Sequence, residues 1–230
     1  MLHLHSRRMV NCYRFLLPVA LLVAGSALRG GEVKQSDRWE KDIQAFERQD
    51  RMAPPPKGSV MFMGSSSIRY WDVAKSFPET KVLNRGFGGS QIADSVRYVE
   101  RLISHEPRLI VFYAGDNDIA GGKSAEQVLK DFQALVTKVN DRLPRTRIAF
   151  ISIKPSPSRL NQMETQRKAN KLIEDFIQTD KRLSYIDVVA PMLDQDGKPR
   201  AELFREDKLH LNADGYKLWT EVVGPYLVSE

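Results

Sequence analysis

Apolar and polar positions fall into blocks along the chain, and the blocks alternate in period. Ser59-Val-Met-Phe-Met-Gly64, Lys81-Val-Leu-Asn84, Arg108–Ala114, Arg147–Ile153 and Leu183–Asp187 are short runs with apolar centres, several closed by Gly, Asn or Pro. Runs of that length with little internal alternation predict strands buried on both faces. Between them the spacing turns helical, with Ile92, Val96, Val99, Leu102 and Ile103 within 92–104, and Val128, Leu129, Phe132, Leu135, Val136 and Val139 on one face of 125–143. Helices are also predicted over 162–179 and 214–227. A charged stretch from Glu32 to Met52, threaded by Trp39, Ile43 and Phe46, predicts a surface helix that stops before Pro54-Pro-Pro56. Strand and helix alternate throughout, which implies a parallel sheet with helices on both faces. The expected fold is therefore α/β, a three-layer α/β/α sandwich around a five-stranded parallel flavodoxin-like sheet. Such sheets bind ligands beyond the carboxyl ends of their strands, so the residues following each strand are where chemistry is expected.

The first 27 residues follow another rule. Arg7, Arg8 and Arg14 precede an apolar run from Phe15 to Ala27, and no acidic residue stands before Glu32. A basic start, about 13 apolar residues and small residues at Gly25 and Ala27 predict a secretory signal peptide over 1–27, hence an exported protein, periplasmic or secreted. A membrane anchor needs ~20 apolar residues, and a buried helix would carry Pro18 at a cost of about 3 kcal/mol. Cys12 precedes the run, whereas a lipid-bearing cysteine would follow it. After the signal, 28–57 reads as an N-terminal helix and Pro-rich linker, and 58–230 as the main domain.

This reading changes what the composition means. The 230 residues carry 35 Lys+Arg against 29 Asp+Glu, a net charge of +6, with four His and one Cys. Removing 1–27 takes away three Arg, His3, His5 and the only Cys, bringing the charge to +3 and leaving His105 and His210. The remaining cations are scattered rather than striped, so nucleic acid is not an expected partner. One Cys excludes a Cys₄ zinc module, and two histidines in separate segments offer no metal site. No cofactor is expected, nor a membrane span once the signal is cleaved. The oligomeric state stays open.

Beyond each strand stands a candidate. Ser66, in Gly64-Ser-Ser-Ser-Ile-Arg69, follows the first strand and is either a helix cap or a nucleophile at the sheet edge. The turn Asn84-Arg-Gly-Phe-Gly-Gly89 follows the second and either serves as a tight turn or brings backbone N–H groups close to a ligand. Asn117, in Gly115-Asp-Asn-Asp118, follows the third and can cap or donate from its carboxamide. After the fifth comes Asp207-Lys-Leu-His210, in which the carboxylate can hold the imidazole N–H. His105, at a helix end before the third strand, reads as structural. Each feature alone has a bland explanation. Together they point to acyl transfer, with Ser66 attacking a carbonyl, His210 taking its proton, and Asp207 fixing the tautomer. The N–H groups of Ser66 and Gly89 and the Asn117 amide would hold the oxyanion, one such donor typically being worth about 3 kcal/mol of barrier.

At these residues the chain resembles the SGNH hydrolases (GDSL-type esterases and lipases) over almost all of 59–228. Gly64-Ser65-Ser66 is similar to the Gly-Asp-Ser block, Asn84-x-Gly-x-Gly-Gly89 to the second, Gly115-x-Asn117-Asp118 to the third and Asp207-x-x-His210 to the fifth. Ser65 departs from the usual Asp and is expected to hydrogen-bond locally instead. The resemblance implies an SGNH hydrolase domain over 58–230, catalytic Ser66, Asp207 and His210, and no metal. It is strongest toward the compact acetylhydrolase-like branch, which removes short acyl groups. With no long apolar insertion to form a lid, a small-molecule or glycan ester is the expected substrate, acetyl esters on carbohydrate first. The alternatives are a lysophospholipase or thioesterase acting on longer chains, and a non-catalytic binding module on the same fold. Arg69 and Trp71 are candidate substrate-binding residues, as are Ser156, Ser158 and Arg159 after the fourth strand. Asp194-Gln-Asp196-Gly197 lacks the closing glutamate of a calcium loop and reads as an Asp-Gly turn.

Overall fold

The computed structural model describes residues 1–2 and 38–228; apart from its first two residues the expected signal peptide lies outside the described residues, as does the start of the helix expected from Glu32. Five strands, β1 (Val60–Gly64), β2 (Val82–Gly86), β3 (Leu109–Tyr113), β4 (Arg147–Ile151) and β5 (Leu183–Ile186), pair in the order β2-β1-β3-β4-β5. Every pairing is parallel. The helices are α1 (Glu40–Met52), α2 (Ser66–Arg69), α3 (Val73–Ser76), α4 (Ile92–Leu102), α5 (Asp116–Ala120), α6 (Ala125–Arg142), α7 (Met163–Ile177) and α8 (Ala213–Val223). This is the expected three-layer α/β/α sandwich.

The strand order explains the apolar runs. From β1 the chain steps one way to β2, then back past β1 to β3, β4 and β5, so right-handed crossovers place the first connection on one face and the next three on the other. Met61, Met63, Ile110, Phe112, Ile148 and Phe150 share a core with residues of α1, α4, α6 and α7. The alternate positions Val60, Phe62, Val111, Tyr113 and Ile151 share a second core with Ile68, Val73 and Trp219 of α2, α3 and α8. Both sides of each central strand therefore need apolar residues. Fully burying a side chain such as Phe62 contributes roughly 2–3 kcal/mol, and its ring stacks on Phe77 at 5.5 Å and meets Trp71 edge-on at 5.3 Å.

The helix expected over 32–52 is described as α1, Glu40–Met52, and that helix belongs to the body of the protein. Gln35–Glu230 is one compact unit. Trp39 and Ile43 are buried in the first core, and Arg101 of α4 grips Glu40 at 2.8 Å and Glu47 at 2.7 Å. The boundary expected near residue 57 thus falls inside a packed unit; the prolines mark a turn rather than a linker between bodies. The one-turn helices α2, α3 and α5 were not anticipated, because four or five residues are too few for a helical period to register. Among the described residues no group of three or more His, Cys, Asp or Glu is placed to hold a metal, and no helix is long and apolar enough to cross a membrane.

Candidate active site

The turn after β1 is shaped by Gly64, whose φ is +141°. A Cβ there would lie 1.9 Å from the Tyr113 carbonyl oxygen, the same atom that accepts the Ser65 N–H at 3.0 Å. The chain passes directly into α2, with half-buried Ser66 as its first residue at the carboxyl edge of the sheet. Two outside groups hold this short helix. Asn84 of β2 donates from Nδ2 to the carbonyls of Ile68 (2.7 Å) and Trp71 (2.9 Å), while its Oδ1 accepts the Gly86 N–H. Tyr216 of α8 donates its hydroxyl to the Ser67 carbonyl at 3.0 Å.

His210 reaches Ser66 from the loop before α8, with Nε2 3.0 Å from the Ser66 Oγ. Its Nδ1 lies 2.6 Å from Asp207 Oδ2. Asp207 Oδ1 accepts the backbone N–H groups of Leu209 and His210, both at 2.9 Å. Burial pushes the Asp207 carboxyl up, but the hydrogen bonds from the His210 ring and from those two N–H groups outweigh it and hold the group at about 2. An ionised Asp207 accepts a hydrogen bond from the imidazole Nδ1–H and so leaves Nε2 as the acceptor for the serine hydroxyl. Tyr70 meets the His210 ring edge-on at 5.1 Å, and the Arg205 guanidinium lies over Tyr70.

Of the three expected oxyanion donors, Gly89 and Asn117 line one cavity. Gly88 lies beside Ser66, a Cβ on it being 3.9 Å from the Ser66 Cβ, and Gly89 takes the left-handed φ of +75°. Among the described residues the N–H groups of Ser66 and Gly89 make no hydrogen bond. Asn117, in α5, donates one Nδ2 hydrogen to the Ser90 carbonyl at 3.1 Å, which leaves the other free. Its neighbour Asp118 is fully buried and accepts the Ile92 N–H and the Lys123 ammonium, tying α5 to the start of α4. Burial raises the Asp118 carboxyl despite Lys123.

Not every candidate stands where the sequence put it. Trp71 is 2% exposed, donates its indole N–H to Ser76 Oγ, and packs among Phe62, Phe77, Tyr216 and Trp219. It is a core residue, because the single turn of α2 carries position 71 inward. Arg69 is exposed with its guanidinium against Gly88, at the rim of the site. The Ser65 hydroxyl is buried without a hydrogen-bond partner, so the local bond expected of it is absent and only its backbone is used. Ser156 is buried and Ser158 exposed, while the head of Arg159 is on Asn117 and Asp116. His105 is buried, and burial followed by Arg85 lowers its pKa, which suits a structural residue. Asp194 accepts the N–H groups of Asp196 and Lys198 in a tight turn.

Sequence reasoning missed Asn84, Tyr70 and Trp39. Trp39 donates its indole N–H to the Gly88 carbonyl at 2.9 Å, bracing the glycine turn from the first helical layer. Only Asn84 carried a signal, as the first residue of the glycine-rich block.

The chain is similar to known proteins at three levels. The sequence profile of the GDSL-like Lipase/Acylhydrolase family matches residues 64–218. The alpha1 subunit of platelet-activating factor acetylhydrolase IB from Bos taurus is 27% identical over 197 residues, covering 80% of each chain. A GDSL-like lipase from Bacteroides thetaiotaomicron superposes with a TM-score of 0.67 at 17% identity, covering 81% of this chain and 97% of its own. A variant of an acetyl-xylooligosaccharide esterase from Geobacillus gives 0.61 at 13%, covering 76% and 97%. Identities this low between the structures speak for the fold alone.

Proposed function

The chain belongs to the GDSL-like lipase/acylhydrolase family, and on that premise we propose that it is a serine esterase acting on short-chain acyl esters through an acyl-Ser66 intermediate, with acetyl esters on carbohydrate as the first candidates. The observation that carries the reading is the relay from Ser66 Oγ to His210 Nε2 at 3.0 Å and from His210 Nδ1 to Asp207 at 2.6 Å. Ser66 Oγ attacks the ester carbonyl carbon as its proton passes to Nε2. The carbonyl oxygen gains negative charge and is met by the N–H groups of Ser66 and Gly89 and by the free Asn117 amide hydrogen. Collapse expels the alcohol, which takes the proton from Nε2. Water, activated by the same nitrogen, then attacks the acyl-serine, and Ser66 recovers its proton as the acid leaves.

A short acyl group is favoured by the cavity that Gly89 and Asn117 line. Its volume is about 750 Å³, and Arg38, Gln91, Arg97 and Lys123 line it with Gly89 and Asn117. That polar wall suits a long hydrocarbon chain poorly. The name of the Bos taurus relative, an acetylhydrolase, points the same way. Exposed Tyr70, edge-on to the His210 ring, favours a second reading with longer acyl chains, such as those of lysophospholipids or thioesters. The deciding experiment is an activity panel of acetylated sugars against p-nitrophenyl esters of increasing chain length. Highest kcat/KM on the acetyl esters is expected; a rise with chain length would overturn the short-acyl reading.

The pH profile tests the roles within the triad. The base accepts a proton only when the imidazole is neutral, so kcat/KM rises with pH on the acid side and then levels. Asp207 cannot supply that limb. Its folded pKa of about 2 lies below the ordinary value of 3.8, so its ionised state is favoured by the fold, and that contribution is lost only as pH falls through about 2. A rate that does not fall on the acid side would contradict His210 as the base.

A further inference from the structure

Asn117 can serve an oxyanion only if its amide is seated one way round. Reversed, it would aim Oδ1 at the developing negative charge and repel it. Two contacts fix the seating: Nδ2 donates to the Ser90 carbonyl at 3.1 Å, and Oδ1 accepts from Arg159 Nη2 at 3.0 Å. A carbonyl cannot donate and a guanidinium cannot accept, so the pair admits one orientation. The cation on Oδ1 also draws electron density from the amide, which strengthens the remaining N–H as a donor.

Arg159 is itself held for this task. Its side chain is 15% exposed, and its Nη1 lies 3.1 Å from Asp116 Oδ2, the oxygen that also has the buried Lys154 Nζ at 3.6 Å. One carboxylate oxygen thus faces both basic side chains. The loop that carries Arg159 is anchored to the triad as well: Arg159 N–H donates to Ser156 O, and Ser158 N–H to Lys208 O, between Asp207 and His210. A single guanidinium, on a loop tied to the general base, fixes the amide of a residue 42 positions away.

We propose that Arg159 is a positioning residue of the oxyanion hole, acting through Asn117 rather than on substrate. This rests on the serine-esterase reading above, and the test separates the two. The kcat and KM for p-nitrophenyl acetate are measured in the full chain for Arg159→Met, Arg159→Lys, Asn117→Ala, the Asn117→Ala/Arg159→Met double variant and Ser66→Ala, each with its thermal midpoint. Arg159→Met is expected to lower kcat about 10- to 100-fold with KM changed less than about twofold. The double variant should be no slower than Asn117→Ala alone, because Arg159 has nothing left to position. Arg159→Lys keeps the charge beside Asp116 but loses the forked contact, so it should stay folded with kcat still depressed. That variant decides the matter if Arg159→Met does not fold. Losses that multiply in the double variant, a raised KM with kcat intact, or full activity of Arg159→Lys would each overturn the proposal. If Ser66→Ala keeps the parental rate, the esterase reading fails instead.

Discussion

Ser66→Ala is expected to lower kcat/KM for p-nitrophenyl acetate by about 10⁴- to 10⁶-fold, while the thermal midpoint moves by only a few degrees (about 1 kcal/mol). The two effects separate because the hydroxyl is the group meant to attack and yet carries little of the fold. Ser66 is half-buried at the first position of a one-turn helix, and its Oγ has one partner, the half-buried His210. The staples from Asn84 and Tyr216 bind the carbonyls of Ile68, Trp71 and Ser67 and survive the substitution. Equal rates for variant and parent would remove Ser66 as the nucleophile. They would leave a non-catalytic module, or a different chemistry, on the same fold.

Gly64→Ala should act on stability to a comparable extreme. The added methyl would stand 1.9 Å from the Tyr113 carbonyl oxygen, at a φ of +141° that L residues avoid. That oxygen cannot retreat, because it belongs to β3, which is paired to both β1 and β4. Relief requires parting the two central strands, so a loss of more than about 4 kcal/mol is expected, seen as a midpoint lowered by roughly 10–20 °C or as insoluble protein. Gly197→Ala is the matched control. Its φ is +72° and nothing lies within 4 Å of its Cβ position, so only backbone strain of about 1–2 kcal/mol applies. Similar midpoints for the two variants would contradict the close approach at Gly64.

How far the site could be read from the chain depended on how local its parts are. The strands were legible because both faces of the sheet are covered, which forces apolar residues at successive positions. The Asp207–His210 pair was legible because three residues of one turn bring the groups together, and the two hydrogen bonds from Leu209 and His210 are as local. Trp71 was misplaced because nearness in sequence to Ser66 does not survive one turn of helix, which sends one residue to the edge and the other to the core. Asn84, Trp39 and Arg159 act across 13 to 49 positions, and no periodicity reports a contact of that kind. The Pro54–Pro56 run misled for a related reason. Prolines mark a turn, and only the burial of Trp39 and Ile43 tells that the helix before it returns to the same core.

The hydrogen bond between Ser66 and His210 joins positions 144 residues apart, and that distance has a consequence for how activity emerges. A chain made from its N-terminus presents the Ser66 turn early and His210 only when the loop before α8 has come back across the finished sheet. Contacts of such long range are slow to close and are the last to reward the chain for closing them. Ester hydrolysis is therefore a clock for the end of folding. It registers only molecules in which the C-terminal segment has docked, so in a refolding experiment the return of activity should trail the return of helical signal.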